Sequence, residues 1–363
     1  MAGVIEAKSG AEKIMNELLP REGIEPTVKP GEKPAKNAPR VDCTAEQLEG
    51  SIRRLGLTST RATDIRPGVL AFWGELVAEL QGEIDGTFPL PRGAVGQVYD
   101  PQALVRPEEK TPYAVVVRRT GALLDALAKR GVDVAALRED WKRLAANAAA
   151  QSNDVFAACA VRRAAMFSDP DLNAYDKLAF LARASYAGCR LTNMKNTDRT
   201  GGHFATQCFG FNTIHGGGLF SLEGWRAKTP AVKNLLEGRI VGNGPYKGKT
   251  LDSGSFYTPE VSYDGKTLYF AHCGATEHRW EWSESATWKI FKLELESGRL
   301  TQLTEGPWND FDTAELPSGR IVFISERRGG FIRCFTEGSR HRVPTFVLHS
   351  MKADGGDIYP ISY

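Results

Sequence analysis

Between Phe256 and Tyr363 one pattern occurs twice. Pro259 to Phe270 and Ala314 to Phe323 each read as a strand, a tight turn and a second strand, with Asp264-Gly265-Lys266 and Ser318-Gly319-Arg320 at the turns. Glycine reaches positive φ without steric cost, so Asp-Gly or Ser-Gly between alternating apolar residues is a strong hairpin signal. A further hairpin follows each. The first runs from Trp288 to Leu293, turns at Glu296-Ser297-Gly298 and returns from Leu300 to Thr304. The second runs from Phe346 to Met351, turns at Ala353-Asp354-Gly355-Gly356 and returns from Ile358 to Ile361. Gly265 and Gly319 are 54 residues apart, and Gly298 and Gly355 are 57 apart.

Four strands per repeat at this period predict β-propeller blades. One blade cannot bury both its faces, and propellers use roughly four to eight. Two blades, 255–363, therefore predict an incomplete propeller with an open last edge, a fragment of a longer protein. The competing arrangement is a small sandwich of the two sheets.

The sequence ahead of the repeats has a different texture. Residues 1–43 carry Pro20, Pro26, Pro30, Pro34 and Pro39 among Lys, Glu and Gly, and read as a disordered linker. Residues 44–185 read as an α-helical domain. Thr44 and Gln47 make a capping-box pair ahead of Leu48, Ile52 and Leu55. Val69, Leu70, Trp73, Leu76, Val77 and Leu80 follow Pro67 at helical spacing. Leu123, Leu124, Leu127 and Ala128 form a stripe closed by Gly131. Asp133 caps a helix carrying Leu137, Trp141 and Leu144. Ser152 opens another through Val155, Phe156, Cys159 and Met166, and Asp171 to Arg183 reads as the last, with Leu178 and Leu181 inward. Residues 186–254 are Gly-rich and lose helical period, so they read as a connector. The fold class expected is multidomain α + β.

With 46 basic and 44 acidic residues the net charge is +2, which gives no basic stripe for nucleic acid. No run of about 18 apolar residues predicts a membrane span. No signal peptide is visible, so the chain as given reads as cytoplasmic. None of the six cysteines forms a CxxC pair, which leaves zinc ribbons and c-type haem attachment without their signature.

The repeats resemble those of TolB-like (PD40) propellers. The stretch Ser255 to Thr267, with Leu303 to Asp312 and Leu316 to Gly330, is similar to the propeller start of the hydrazine synthase alpha subunit family. Arg162-Arg163-Ala164, Ser168 to Leu172 and Tyr175 to Leu178 resemble the helical segment before that propeller. Gly201-Gly202-His203, Gln207 to Phe211 and Gly216 to Leu219 resemble its connector. The resemblance covers about residues 150–363. It implies an extracytoplasmic propeller protein. The family's named enzyme uses c-type haems, and this chain has no CxxCH, so the reading leans to a non-catalytic binding scaffold that meets a protein partner or small ligand at the propeller face. The alternative is a subunit of a haem- or metal-dependent oxidoreductase, with its site between connector and propeller.

Three groups of residues invite chemistry. His203, Cys208, His215 and His272 are ligand types that suit zinc, at a spacing no standard zinc pattern has. Asn309, Asp310 and Asp312 offer three oxygen-bearing side chains for calcium, or else turn bonds at the start of a strand. Glu326, Arg327 and Arg328 ahead of Gly329-Gly330 could fork-bind an anion, or tie blade to blade. Adjacent side chains on a strand point oppositely, so one arginine is expected to pair inside the fold, with Glu326 or Asp312, while the other faces the surface.

Overall fold

The computed structural model describes residues 44–68, 105–106, 108–147, 154–182, 216–227, 230–275, 286–329 and 345–362. The expected linker 1–43, the helix proposed over Val69–Leu80, and His203, Cys208 and His215 lie outside these residues. The chain is mixed α + β and divides into two compact units. One is formed by Glu46–Leu178 with Glu223–Ala231, the other by Ala179–Leu222 with Val232–Tyr363.

The first unit is helical: α1 (Ala45–Arg54), α2 (Ala62–Gly68), α3 (Pro112–Lys129), α4 (Ala135–Ala145), α5 (Asp154–Phe167) and the short α6 (Pro170–Asn173). Thr111 caps α3, its hydroxyl accepting from the Ala114 amide at 3.2 Å, and Pro112 occupies the first turn, where its missing N–H costs nothing. Gly131 closes α3 at φ +82, as its position in the sequence predicts. Leu124 and Leu127 of α3 pack with Val134 and Ala165. Tyr113 and Val116 pack with Ile65, Val155, Ala158 and Cys159.

The helix expected over Asp171–Arg183 is not there. The side chain of Asp169 caps α6, which ends after one turn, and Lys177–Ala182 is a strand, β1. The three-residue spacing of Leu178 and Leu181 suits a helix face. The same segment also suits the edge of a three-stranded sheet, where Phe180 stacks on Phe220 at 5.7 Å, and sheet pairing overrides the local spacing. The Gly-rich stretch likewise contributes β2 (Gly218–Glu223) and β3 (Ala231–Asn234) to that sheet, in the order β1-β2-β3.

Two four-stranded antiparallel meanders follow. The first holds β4 (Ser255–Val261), β5 (Thr267–Cys273), β6 (Lys289–Glu294) and β7 (Leu300–Gln302). The second holds β8 (Asp310–Glu315), β9 (Ile321–Ser325), β10 (Val347–Met351) and β11 (Tyr359–Pro360). All four hairpins fall where the sequence places them, with Gly265, Gly298, Gly319 and Gly355 at φ between +71 and +87. Among the described residues these two sheets form no closed ring.

Strand alternation gives the first sheet two apolar faces. Leu268, Phe270, Phe291, Leu293 and Leu300 pack with Leu219, Leu236, Val241, Leu251 and Phe256. Tyr269, Ile290 and Leu303 face the second sheet and pack with Ile321, Phe323 and Met351. Leu348 on β10, across from Ile324, is by contrast 43% exposed. Burying a Phe or Leu side chain contributes about 1.5–3 kcal/mol, and removing one leaves a cavity as well. Phe323→Ala is therefore expected to lower unfolding free energy by about 3–5 kcal/mol. Leu348→Ala is expected to cost about 0.5 kcal/mol or less. Equilibrium denaturation of the two variants checks this.

Candidate functional site

The residues singled out around 309–328 converge where the two sheets meet. Asp310 opens β8 and is fully buried. Arg327, just past β9, grips its carboxylate with both arms of the guanidinium, Nε to Oδ1 at 3.2 Å and Nη2 to Oδ2 at 2.7 Å. The Ser325 hydroxyl donates to Oδ1 at 2.6 Å and accepts from the Arg327 amide. Arg327 Nη2 also donates to the Glu305 carbonyl. The partner of the inward arginine is thus Asp310, not Glu326 or Asp312. Cross-strand register explains the choice, because Asp310 lies directly opposite Ser325. Arg328 is exposed.

Asn309 and Glu326 form a second pair beside the first. Glu326 Oε1 accepts from the Asn309 amide at 2.8 Å and from its side chain at 3.0 Å, and Asn309 Oδ1 accepts from the Trp288 amide. The Asp310 amide donates to the Trp288 carbonyl. Lys289 completes the group: its ammonium donates to Thr287 Oγ1 and to the carbonyls of Trp288 and Trp308. Burial pushes Lys289 down to about 8 against the pull of Asp310. Burial pushes the Asp310 carboxyl up, opposed by Arg327, Ser325 and Lys289. The network ties the start of β6 in one sheet to β8 and β9 in the other. Of the oxygen-bearing set, Asp310 is held by Arg327 and Asn309 by Glu326 and the Trp288 amide, while Asp312 is exposed. Among the described residues no three His, Cys, Asp or Glu side chains are placed to hold a metal.

His272 lies elsewhere, on β5 within the first sheet's core. Its Nε2 is 2.7 Å from the Ser253 carbonyl, an acceptor, so Nε2 carries the proton and Nδ1 the lone pair. Among the described residues Nδ1 is buried without a hydrogen-bond partner, inside a ring of Phe256, Phe291 and Tyr246. Gly254, at φ +101, admits this approach, since a Cβ there would lie 2.7 Å from Nε2 and 2.2 Å from the Cys273 carbonyl oxygen. Burial holds the imidazole down at about 4.

β4 and β8 each carry a bulge, between Tyr257 and Glu260 in one and between Phe311 and Ala314 in the other. Thr258 and Asp312 sit in these bulges at φ +42 and +60, each seven residues before its turn glycine. Left-handed backbone at a β-branched residue is strained, at a cost on the order of 1–3 kcal/mol. The Asp312 amide donates to Thr258 Oγ1 at 3.0 Å, and burial together with the Asp312 charge raises the Glu260 carboxyl. The only sequence signal is the alignment of the two repeats.

No family model and no curated protein matches the chain. Among solved structures, a protein designated TolB from Agrobacterium tumefaciens aligns over 40% of this chain and 40% of its own, at 15% identity and a TM-score of 0.25. The matched part is thus well under half the length of that protein. No described helix is long and apolar enough to cross a membrane.

Two measurements check this geometry. Arg327→Ala leaves Asp310 buried without its fork and is expected to cost about 3–5 kcal/mol. Arg328→Ala, at the surface, is expected to cost about 0–1 kcal/mol. Chemical denaturation of both variants reads the difference. For His272, the folded group titrates near 4 and the unfolded one near 6.5. Below pH 6.5 the unfolded chain therefore binds the extra proton. Stability is fully present above pH 6.5 and falls by about 3 kcal/mol as pH drops through 4. The difference between the stability–pH curves of the parent and His272→Phe isolates this loss from that of the carboxylates.

Proposed function

We propose that the chain is a binding scaffold of β-propeller type, with repeats resembling those of the hydrazine synthase alpha subunit family. It meets a protein partner or small ligand along the side carried by β4 and β8. By the same resemblance it works outside the cytoplasm. The observation that carries the reading is how the polar groups are divided. Asp310, Glu326, Arg327 and Lys289 point inward and are occupied in joining the sheets. Asp312 stays exposed, at a left-handed bulge position that is repeated at the same place in both sheets and is strained at Thr258. Bulges and strained residues concentrate where a strand presents groups for binding. Glu260 beside Asp312 gives that side two neighbouring carboxylates. The complementary ligand group is a cation, such as a lysine or arginine side chain of a partner.

The test begins with a partner recovered by affinity purification with the full chain, then purified and measured by calorimetry. Asp312→Asn combined with Glu260→Gln is expected to weaken binding by roughly tenfold, the scale of losing a charge-assisted contact. Arg143→Gln, on the exposed side of α4, leaves it unchanged. Unaltered affinity in the double variant would overturn the assignment of the surface. A Soret absorption band with redox turnover in the purified chain would overturn the scaffold reading.

A further inference from the structure

In the helical unit α3 and α5 pack side by side, and charge gathers at one level of their contact. Arg119 lies three residues beyond Val116, which is buried on α3, and Arg162 lies three beyond Cys159, buried on α5. The cations around them are accounted for. Arg118 is paired with Glu109, and Arg163 donates through Nη1 to the carbonyls of Gly56 at 2.7 Å and Ser59 at 3.0 Å. Arg162 is not: its Nη1 is sealed from solvent and, among the described residues, donates to nothing. Among the described residues, the charges that act on Arg162 are Arg119 and Cys159, with no carboxylate among them. Cys159 supplies no counter-charge, because burial pushes its thiol up to about 11. Burial first, then Arg119, hold Arg162 below its ordinary range.

A guanidinium N–H shut away from water and unpaired is costly, and a like charge beside it adds to the cost. An anion between the two arginines removes both penalties. Planar forked donors match the oxygens of carboxylate and phosphate. Two positive charges, with no described carboxylate acting on Arg162, favour the ligand that carries nearly two negative ones, about −1.5 to −2 for a phosphoryl group at neutral pH. We propose that Arg119 and Arg162 form a binding site for a phosphate-class oxyanion, either free phosphate or the phosphoryl group of a small molecule.

The experiment uses the full chain at fixed ionic strength, titrated with inorganic phosphate, a small phosphomonoester, acetate and chloride. The Arg162 side-chain N–H resonances and the thermal midpoint are followed together. Phosphate or the phosphomonoester is expected to move both, the tighter of the two identifying the source, with acetate and chloride much weaker. Arg119→Gln and Arg162→Gln are each expected to weaken phosphate binding by roughly tenfold. Arg143→Gln leaves it unchanged. Without phosphate, Arg162→Gln is expected to be at least as stable as the parent, since it removes an unpaired donor. The proposal is overturned if chloride or acetate acts as well as phosphate, or if the phosphate effect survives when Arg119→Gln and Arg162→Gln are combined. It is also overturned if Arg162→Gln is destabilised equally with and without phosphate, because the arginine would then be structural.

Discussion

Everything in the sheet-containing unit depends on apolar contact between the two four-stranded sheets. A meander with alternating side chains has two faces, and each must be covered or left wet. In the first sheet both faces are apolar. Phe270 and Phe291 go to the side shared with Leu219 and Leu251, while Tyr269 and Ile290 go to the side met by Ile321 and Phe323. Neither set can be exposed at small cost, so the second sheet is a requirement of the first. This is the logic of repeat architectures, in which each unit completes its neighbour's core.

Apolar packing does not by itself set the register between sheets, since it is non-directional. The polar network does. The Arg327 fork on Asp310 and the Asn309–Glu326 pair have fixed geometry, and they reach the Trp288 backbone in the other sheet. A buried ion pair is poor evidence of net stability, but its removal is expensive and its geometry is specific. Residues that read in the sequence as a ligand set therefore serve as a lock between sheets. Asp312, on β8, stays outside that lock and is exposed.

What the sequence made legible follows a physical division. Turn glycines and helix caps act locally, so Gly265, Gly298, Gly319 and Gly355 marked their hairpins and Thr111 and Gly131 bracket α3 as their residue types require. Pairing across strands is not local. Leu178 and Leu181 fit a helix stripe as well as a strand, and nothing in Lys177–Ala182 announces its partner β2. The partner of Arg327 was missed for the same reason, because it depends on Asp310 lying opposite Ser325. The bulges at Thr258 and Asp312 have no composition of their own, and a left-handed threonine is the conformation that propensity argues against.

The central claim is that the two sheets form one cooperative unit, coupled by the Tyr269–Ile290–Phe323 contact and the Asp310–Arg327 lock. Native-state hydrogen exchange of the amides in β5, β6, β9 and β10, followed through low denaturant, tests it most directly. The slowest amides of both sheets are expected to converge on a single opening free energy, and Arg327→Ala to lower it in both together. Exchange of β9 and β10 through a separate opening of lower energy, with β5 and β6 unmoved by Arg327→Ala, would contradict it.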